Sequence, residues 1–259
     1  MLKKLAGILL AAGIFLSCGL EDTPHLDQPG EWRVTIRPDG VDLNLQGIPD
    51  FAGGHARNYA IFYRLYISDH LTLSVQTSPA VLSLINPALN ADFSFFAPFT
   101  NPTVTVNTAG LGTVFTNRSF FELYVNTGAG IQNISTLLGT GFTGGTLQIN
   151  FPQGHGDVPH LIMGGANLPL LRSTGVGTFS PLPVGRLFQN HPELNDNSSA
   201  GAASHINRDT ATNAAAPTAA QRWVYISLYI LVRGLDNNTF ATIFSQPTHL
   251  GIFLLPEAN

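Results

Sequence analysis

The sequence predicts a mainly β protein: an antiparallel β-sandwich, immunoglobulin-like or similar, with a short helical insertion and a mobile loop. Short segments alternate apolar and polar residues with a period of two, the pattern of half-buried strands. Clusters of Gly, Pro, Asn and Asp separate these segments, as turns do in sandwiches. Helices of crossover length do not alternate with the strands, so antiparallel pairing is favoured. We expect a single β-sandwich domain over residues 31–259.

The first elements of this domain are predicted to form a hairpin. Residues 32–37 and residues 41–46 each alternate apolar with polar side chains. Between them stands the sequence Pro38-Asp39-Gly40, whose residue types favour a turn. Two alternating segments joined by a short turn predict an antiparallel pair.

Two longer segments are predicted to occupy the centre of a sheet. Residues 57–67 and 222–233 carry apolar side chains on both faces, which is more typical of a central strand than of an edge strand. Residues 71–75 are predicted to be a short partner of the first segment or its continuation. Further strands are predicted at 103–106, 114–125, 146–151, 159–163, 240–244 and 250–255.

A helical insertion is predicted over residues 78–93. Ser78 is a good N-cap residue, and Pro79 suits the first helical turn. Pro87 would kink or end the helix, so the insertion is one short helix or two, lying across a sheet edge. Residues 195–221 consist largely of Asn, Ser, Ala, Thr and Gly, too little apolar surface to order the segment by burial. They are the predicted low-complexity, mobile loop.

The N-terminus has the pattern of an export signal. A short basic start is followed by an uncharged apolar run at 5–16 and then by Ser17. The run is about 12 residues, too short for a helix that crosses a bilayer, which needs about 20. Residues 1–17 are therefore predicted to be a signal peptide, and residues 18–30, which show no apolar periodicity, a tether.

The sequence Phe15-Leu16-Ser17-Cys18 resembles the lipobox of bacterial lipoproteins, in the looser form found in spirochaetes. This resemblance implies cleavage before Cys18, diacylglycerol on its sulfur and acylation of the new amine. Cys18 is the single cysteine of the chain, and lipidation accounts for a lone thiol in an exported protein. The next residue is not Asp, which resembles the sorting signal for the outer membrane.

Three further segments, at 63–69, 85–89 and 115–121, resemble a group of uncharacterised spirochaetal lipoproteins. The resemblance covers about the middle third of the chain. It implies a lipoprotein and brings no known active site with it.

Composition restricts the partners of the exported chain. Residues 18–259 contain ten arginines, no lysine and 16 acidic residues, for a net charge of −6. A chain without a basic stretch is a poor partner for nucleic acid or for anionic headgroups, so membrane contact is expected through the lipid. The missing lysine excludes Schiff-base chemistry and disfavours a phosphate-binding loop.

Two places invite a search for chemistry. His155, Asp157 and His160 fall within six residues and could hold a metal such as zinc, or they could form a polar loop between strands. Glu122 interrupts an apolar strand and could serve a hydrolase, or it could point outward or pair with an arginine such as Arg64. The other six histidines, including His249, are expected in loops or at the surface. We assign no catalytic, cofactor-binding or metal-binding residue and no cofactor.

The sequence thus predicts a protein of the cell envelope that is not an enzyme. It would be anchored through Cys18 to a membrane, the outer membrane being favoured, and would make structural, adhesive or protein contacts. The first alternative is a binding module for a glycan or another small ligand, with Trp32, Trp223 and tyrosines as an aromatic platform. The second alternative is a hydrolase of an unfamiliar type.

Overall fold

A computed structural model shows two sheets packed face to face, with helices over the outer face of one. The structure describes residues 26, 33–46, 56–72, 77–100, 111–139, 143–154, 157–182, 209–212, 223–236 and 240–256. The predicted antiparallel β-sandwich is confirmed. The predicted signal peptide, Cys18 and, except for Leu26, the predicted tether lie outside the described residues.

The first sheet contains the predicted N-terminal hairpin. In the described part of the chain, its eight strands are β1 (Arg33–Arg37), β2 (Gly40–Gln46), β5 (Tyr124–Asn126), β6 (Ile131–Asn133), β7 (Gly144–Asn150), β8 (His160–Met163), β9 (Ala166–Gly175) and β10 (Thr178–Pro181). The order is β1-β2-β7-β8-β9-β5-β6, with β10 also paired to β9. Strands β1 and β2 pair antiparallel, as predicted. A Cβ on Gly40 would lie 2.0 Å from the Ile149 carbonyl oxygen, so this turn requires glycine.

The second sheet is built on the two long apolar strands. Its strands are β3 (Ala56–Ser68), β4 (Phe121–Glu122), β11 (Thr210–Thr212), β12 (Trp223–Leu235), β13 (Thr242–Phe244) and β14 (Thr248–Leu254). Strands β3 and β12 pair antiparallel along most of their length, and each has further strands on its other edge. The prediction that both are central is confirmed.

Strand β11 contradicts two expectations. It lies inside the predicted mobile loop 195–221, yet it pairs with β3, and it does so in parallel. The rest of that predicted loop lies outside the described residues. The loop prediction is therefore wrong for residues 209–212.

The core between the sheets follows the two-residue period. Side chains at alternate positions of β3 and β12 pack against those of β2 and β7, among them Ile61, Leu65, Ile226, Leu43 and Ile149. Leu26, in the predicted tether, also lies in this core with 2% of its surface exposed. The tether prediction is therefore wrong at this residue, because an apolar side chain at this point of the segment is buried.

The described residues form four α-helices and one 3₁₀ turn: α1 (Pro79–Ile85), α2 (Pro87–Phe96), the turn (Ala97–Thr100), α3 (Leu111–Asn117) and α4 (Ile134–Leu138). Helices α1 to α3 cover the outer face of the second sheet, and α4 adds Ile134 and Leu138 to the core between the sheets. The two-helix form of the insertion is confirmed. Ser78 caps α1, and Asn86 ends it and caps α2.

The insertion lies over a sheet face, and the predicted position across an edge is wrong. Apolar side chains of α1 and α2 pack on Tyr66, Tyr225 and Ile252, which point outward from three neighbouring strands. Because β3 and β12 are apolar on both faces, the outer face must be covered by another layer. A second aromatic cluster containing Phe62, Phe96 and other rings extends that cover.

Among the other predicted strands, some are wrong in part and one lies outside the described residues. The predicted strand 114–125 is wrong over residues 114–117, which belong to α3, because Phe115 packs on Phe62 and Phe96 of the outer layer. Residues 71 and 72 lie in no strand, and 103–106 are outside the described residues. Strands β9 and β10 were not predicted. No helix within the described ranges is long and apolar enough to span a membrane.

Candidate ligand-binding cleft

The histidine cluster is described only in part. His155 lies outside the described residues. His160, on β8, has Nδ1 3.0 Å from the Val158 carbonyl oxygen and Nε2 3.4 Å from Asn150 Nδ2. Among the described residues, no three His, Cys, Asp or Glu side chains are grouped so that they could hold a metal.

Of the predicted aromatic platform, Trp223 has only part of its surface exposed. Its side chain is half-buried and packs with the cluster that joins α1 and α2 to the sheet. Tyr225 and Tyr229 on the same face are buried, and Tyr63 and Tyr66 have no exposed surface. Trp32 lies outside the described residues. Burial of the four tyrosines makes them core residues whose faces are closed to a sugar, whereas Trp223 keeps part of its surface exposed.

A buried ion pair joins the two sheets. Arg172 on β9 and Asp209 are both fully buried; Arg172 Nη2 contacts Asp209 Oδ1, and Nε donates to Oδ2 at 3.1 Å. Tyr63 Oη donates to Asp209 Oδ2 at 2.9 Å, and Arg172 also donates to Thr210 Oγ1. The partners named here are protein groups in the interior. This network holds β11 in the fold and presents no surface to a ligand.

A second carboxylate, Asp92 of α2, fastens the helical layer to the sheet. Arg64 of β3 donates to its Oδ2, Tyr66 Oη donates to the same oxygen at 2.7 Å, and Arg118 donates to Oδ1 at 3.0 Å. Arg118 also lies over the Phe95 ring, 3.5 Å from its centroid. Arg64, named as one example of an arginine partner for Glu122, contacts Asp92 instead, and the expected pairing of Glu122 with an arginine is made by Arg233.

One serine–histidine pair resembles a nucleophile with its base, but it is closed off. Ser227 Oγ lies 3.3 Å from His249 Nε2. Ser227 is 2% exposed, and the imidazole packs against the rings of Phe93 and Tyr229, at centroid distances of 5.3 and 4.7 Å. Burial lowers the pKa of His249 to about 4. The expected loop position is wrong for His249, because it lies half-buried on strand β14, and the buried serine hydroxyl beside it is out of reach of a substrate.

Glu122 has an arginine partner, but on a different strand. Arg233 of β12 donates from Nη1 to Glu122 Oε1 at 3.1 Å. Asn133 Nδ2 donates to Oε2, while its Oδ1 accepts from the Thr136 backbone N–H at 2.8 Å and so caps α4. Burial raises the pKa of Glu122 above its ordinary value, whereas Arg233, Asn133 and Ser135 lower it.

The Glu122–Arg233 pair opens onto a cleft with a volume of about 490 Å³. Helix α3 forms one side, and β4, β5, β12 and β13 form the other. The volume falls within the range of about 300–1,000 Å³ that small-molecule pockets occupy. Gly112 lets α3 approach the sheet, because a Cβ there would lie 2.6 Å from Cε2 of Phe244.

The cleft lining combines buried or half-buried aromatic side chains with exposed polar ones. Phe62 and Phe244, buried to 5% and 7% exposure, and the half-buried Phe121 and Tyr124 give it apolar surface. The exposed polar side chains are Thr113, Thr116, Asn117 and Thr242. Thr116 Oγ1 donates to the Gly112 carbonyl at 2.9 Å, so its lone pairs remain acceptors.

The charges of the cleft largely cancel. Glu122 and Arg233, with side chains 17% and 35% exposed, are the only ionised residues in the described lining, and they contact each other. The arrangement can hydrogen-bond hydroxyl and amide groups and can pack against an apolar face.

No protein-family model, no curated protein and no solved structure matches the chain.

The sequence signalled one member of this cleft. Glu122 stood out because a carboxylate interrupts an apolar strand. Arg233 was visible only as the end of the β12 segment, and the threonines and Asn117 are of residue types that are common throughout the chain. The bend of the chain after α3, which brings those side chains opposite β13, has no signal in the periodicity of the sequence.

Proposed function

We propose that this chain is a lipid-anchored protein of the cell envelope, held at the outer membrane through Cys18, with a non-enzymatic binding role. The export-signal pattern and the lone cysteine support the anchor. The negative net charge argues against nucleic acid as the partner, so we propose that the partners are molecules of the envelope.

The proposal of a non-enzymatic role is supported by how three carboxylates are used. Asp209, Asp92 and Glu122 each contact arginine, and the first two carboxylates are buried. A general acid or base must exchange protons with a bound substrate at hydrogen-bonding distance. Carboxylates that fasten strands and helices together serve stability and positioning instead.

A second form of the proposal, a small-ligand or glycan-binding module, is favoured by one observation. The cleft beside Glu122 and Arg233 has the volume, the aromatic surface and the neutral polar side chains that such ligands require. In the first form, the same domain contacts another envelope protein through its surface.

The anchor is tested by replacing its sulfur. Cys18→Ser is expected to abolish labelling by a fatty-acid probe and to leave a precursor that is longer by the signal peptide. Ser17→Ala is the matched control, because it keeps a small residue before the cleavage point and should be labelled as the natural chain is. Unchanged labelling of Cys18→Ser would refute the anchor.

A further inference from the structure

The β12–β13 turn beside the cleft holds an aromatic side chain in a costly conformation. Phe240 has φ of +57° and is 76% exposed. Bulky L residues rarely adopt positive φ, and Gly or Asn ordinarily occupies such positions in hairpin loops. The turn is closed by the Phe240 N–H, which donates to the Asp236 carbonyl at 2.7 Å.

Nothing in the core explains a phenylalanine at this position. Its side chain is absent from the three buried apolar clusters of the described residues. Residues in sparsely populated backbone regions concentrate at functional sites, where another demand outweighs the strain. Phe240 stands two residues before Thr242, which lines the cleft, and it is joined to Arg233 by the same short hairpin.

From these observations, and resting on the proposed binding role, we propose that the cleft binds an uncharged, hydroxyl-rich ligand, namely a sugar ring of a neutral glycan, with Phe240 as an aromatic contact at its mouth. The charges of Glu122 and Arg233 neutralise each other, so this pair offers an ionic ligand no net opposite charge. Sugar hydroxyls both donate and accept, which matches Thr113, Thr116 and Asn117.

Aromatic surface supplies the remaining requirement. One face of a sugar ring carries C–H groups, and aromatic rings offer apolar area together with polar neighbours. Phe121 and Tyr124 are half-buried in the cleft, and Phe240 is exposed two residues before Thr242 of the cleft lining. Asn117 contributes a side-chain amide, which can donate and accept at once and so can hold two groups of one ligand.

The test uses the mature, lipidated chain in a detergent without a sugar headgroup. It is screened on an array of neutral and acidic oligosaccharides, and the best neutral oligosaccharide is then titrated by calorimetry. We expect binding to neutral glycans. The proposal would be overturned if no glycan on the array binds, or if only acidic glycans bind.

Variants locate the site. Phe240→Gly is expected to raise the melting temperature, because it relieves positive φ, and yet to weaken binding about tenfold, which corresponds to about 1.4 kcal/mol. Asn117→Ala should weaken binding by a similar factor. Ser119→Gly, at φ of +60°, is the control for strain relief, and Thr146→Val on β7 is the control for a lost hydroxyl; both should bind normally.

Neutral-glycan binding that Phe240→Gly and Asn117→Ala leave unchanged would also overturn the proposal. Its failure is distinguishable from failure of the proposed function. The array could show no binding while fatty-acid labelling stays normal and an envelope protein is cross-linked to the chain. That result would refute the sugar ligand and leave the anchored binding role in place.

Discussion

Protonation of His249 should destabilise the fold by an amount that can be calculated. The imidazole is packed between Phe93 and Tyr229, and burial lowers its pKa from 6.5 to about 4. The unfolded chain therefore takes up this proton at a higher pH than the folded chain does. Stability is complete above pH 6.5 and falls as pH decreases toward 4, below which the loss is constant.

The size of the effect follows from the same two pKa values. A tenfold change in proton affinity corresponds to about 1.4 kcal/mol, so the histidine removes about 3 kcal/mol of unfolding free energy between pH 7 and pH 4. Glu122 acts in the opposite direction, because its raised pKa favours the folded state at low pH. A variant that alters only position 249 is therefore needed to isolate the contribution of His249 to the pH dependence of stability.

His249→Gln is that variant. Its amide can keep the hydrogen bond to Ser227 Oγ but does not titrate. Urea denaturation of both chains at pH 7, 5.5 and 4 should show the natural chain losing about 3 kcal/mol more than the variant. Parallel pH profiles, or an imidazole NMR titration with a midpoint near 6.5, would refute the burial of His249 and its effect.

Two further predictions concern residues that the sequence placed outside the fold. Asp209→Ala should lower the free energy of unfolding, measured by urea denaturation, by about 3–5 kcal/mol, because it leaves the buried Arg172 charge without its partner. The double change Arg172→Met with Asp209→Leu should recover much of that loss, and an equal loss in both variants would contradict the pairing. Leu26→Ala should lower the free energy of unfolding by about 2–5 kcal/mol in the same assay, because it opens a cavity in the core. An unchanged unfolding midpoint would mean that residue 26 lies in a free tether.

The parts of the fold that were predictable have local causes. The β1–β2 hairpin follows from alternation and a turn, and the caps at Ser78 and Asn86 follow from residue type and the prolines after them. The central strands follow from apolar side chains on both faces. Each of these signals lies within about a dozen neighbouring residues.

The parts that were not predictable depend on distant residues. Strand β11 is held by Asp209, whose partners Arg172 and Tyr63 are 37 and 146 residues away. Its composition is polar, so no apolar pattern marks it. Helix α3 was misassigned because a short apolar run such as the one around Phe115 fits a strand and a buried helix equally well.

The partner of Glu122 shows the same limit at the candidate site. Arg64 and Glu122 both lie on the second sheet, on β3 and the adjacent β4, so their pairing was a reasonable expectation. Asp92 arrives from α2 and takes Arg64, which leaves Arg233 of β12 to neutralise Glu122. Which arginine serves which carboxylate is decided by the layer of helices, and that placement is not encoded in either strand.

Threonine methyl NMR tests binding at the cleft most directly. The mature chain would carry labelled threonine methyl groups and would be titrated with the neutral oligosaccharide that binds best on the array. Shifts at Thr113, Thr116 and Thr242, with Thr146 and Thr178 unmoved, are the predicted result. Shifts at Thr146 or Thr178 with the cleft threonines unmoved, or no shift at any of the five, would contradict it.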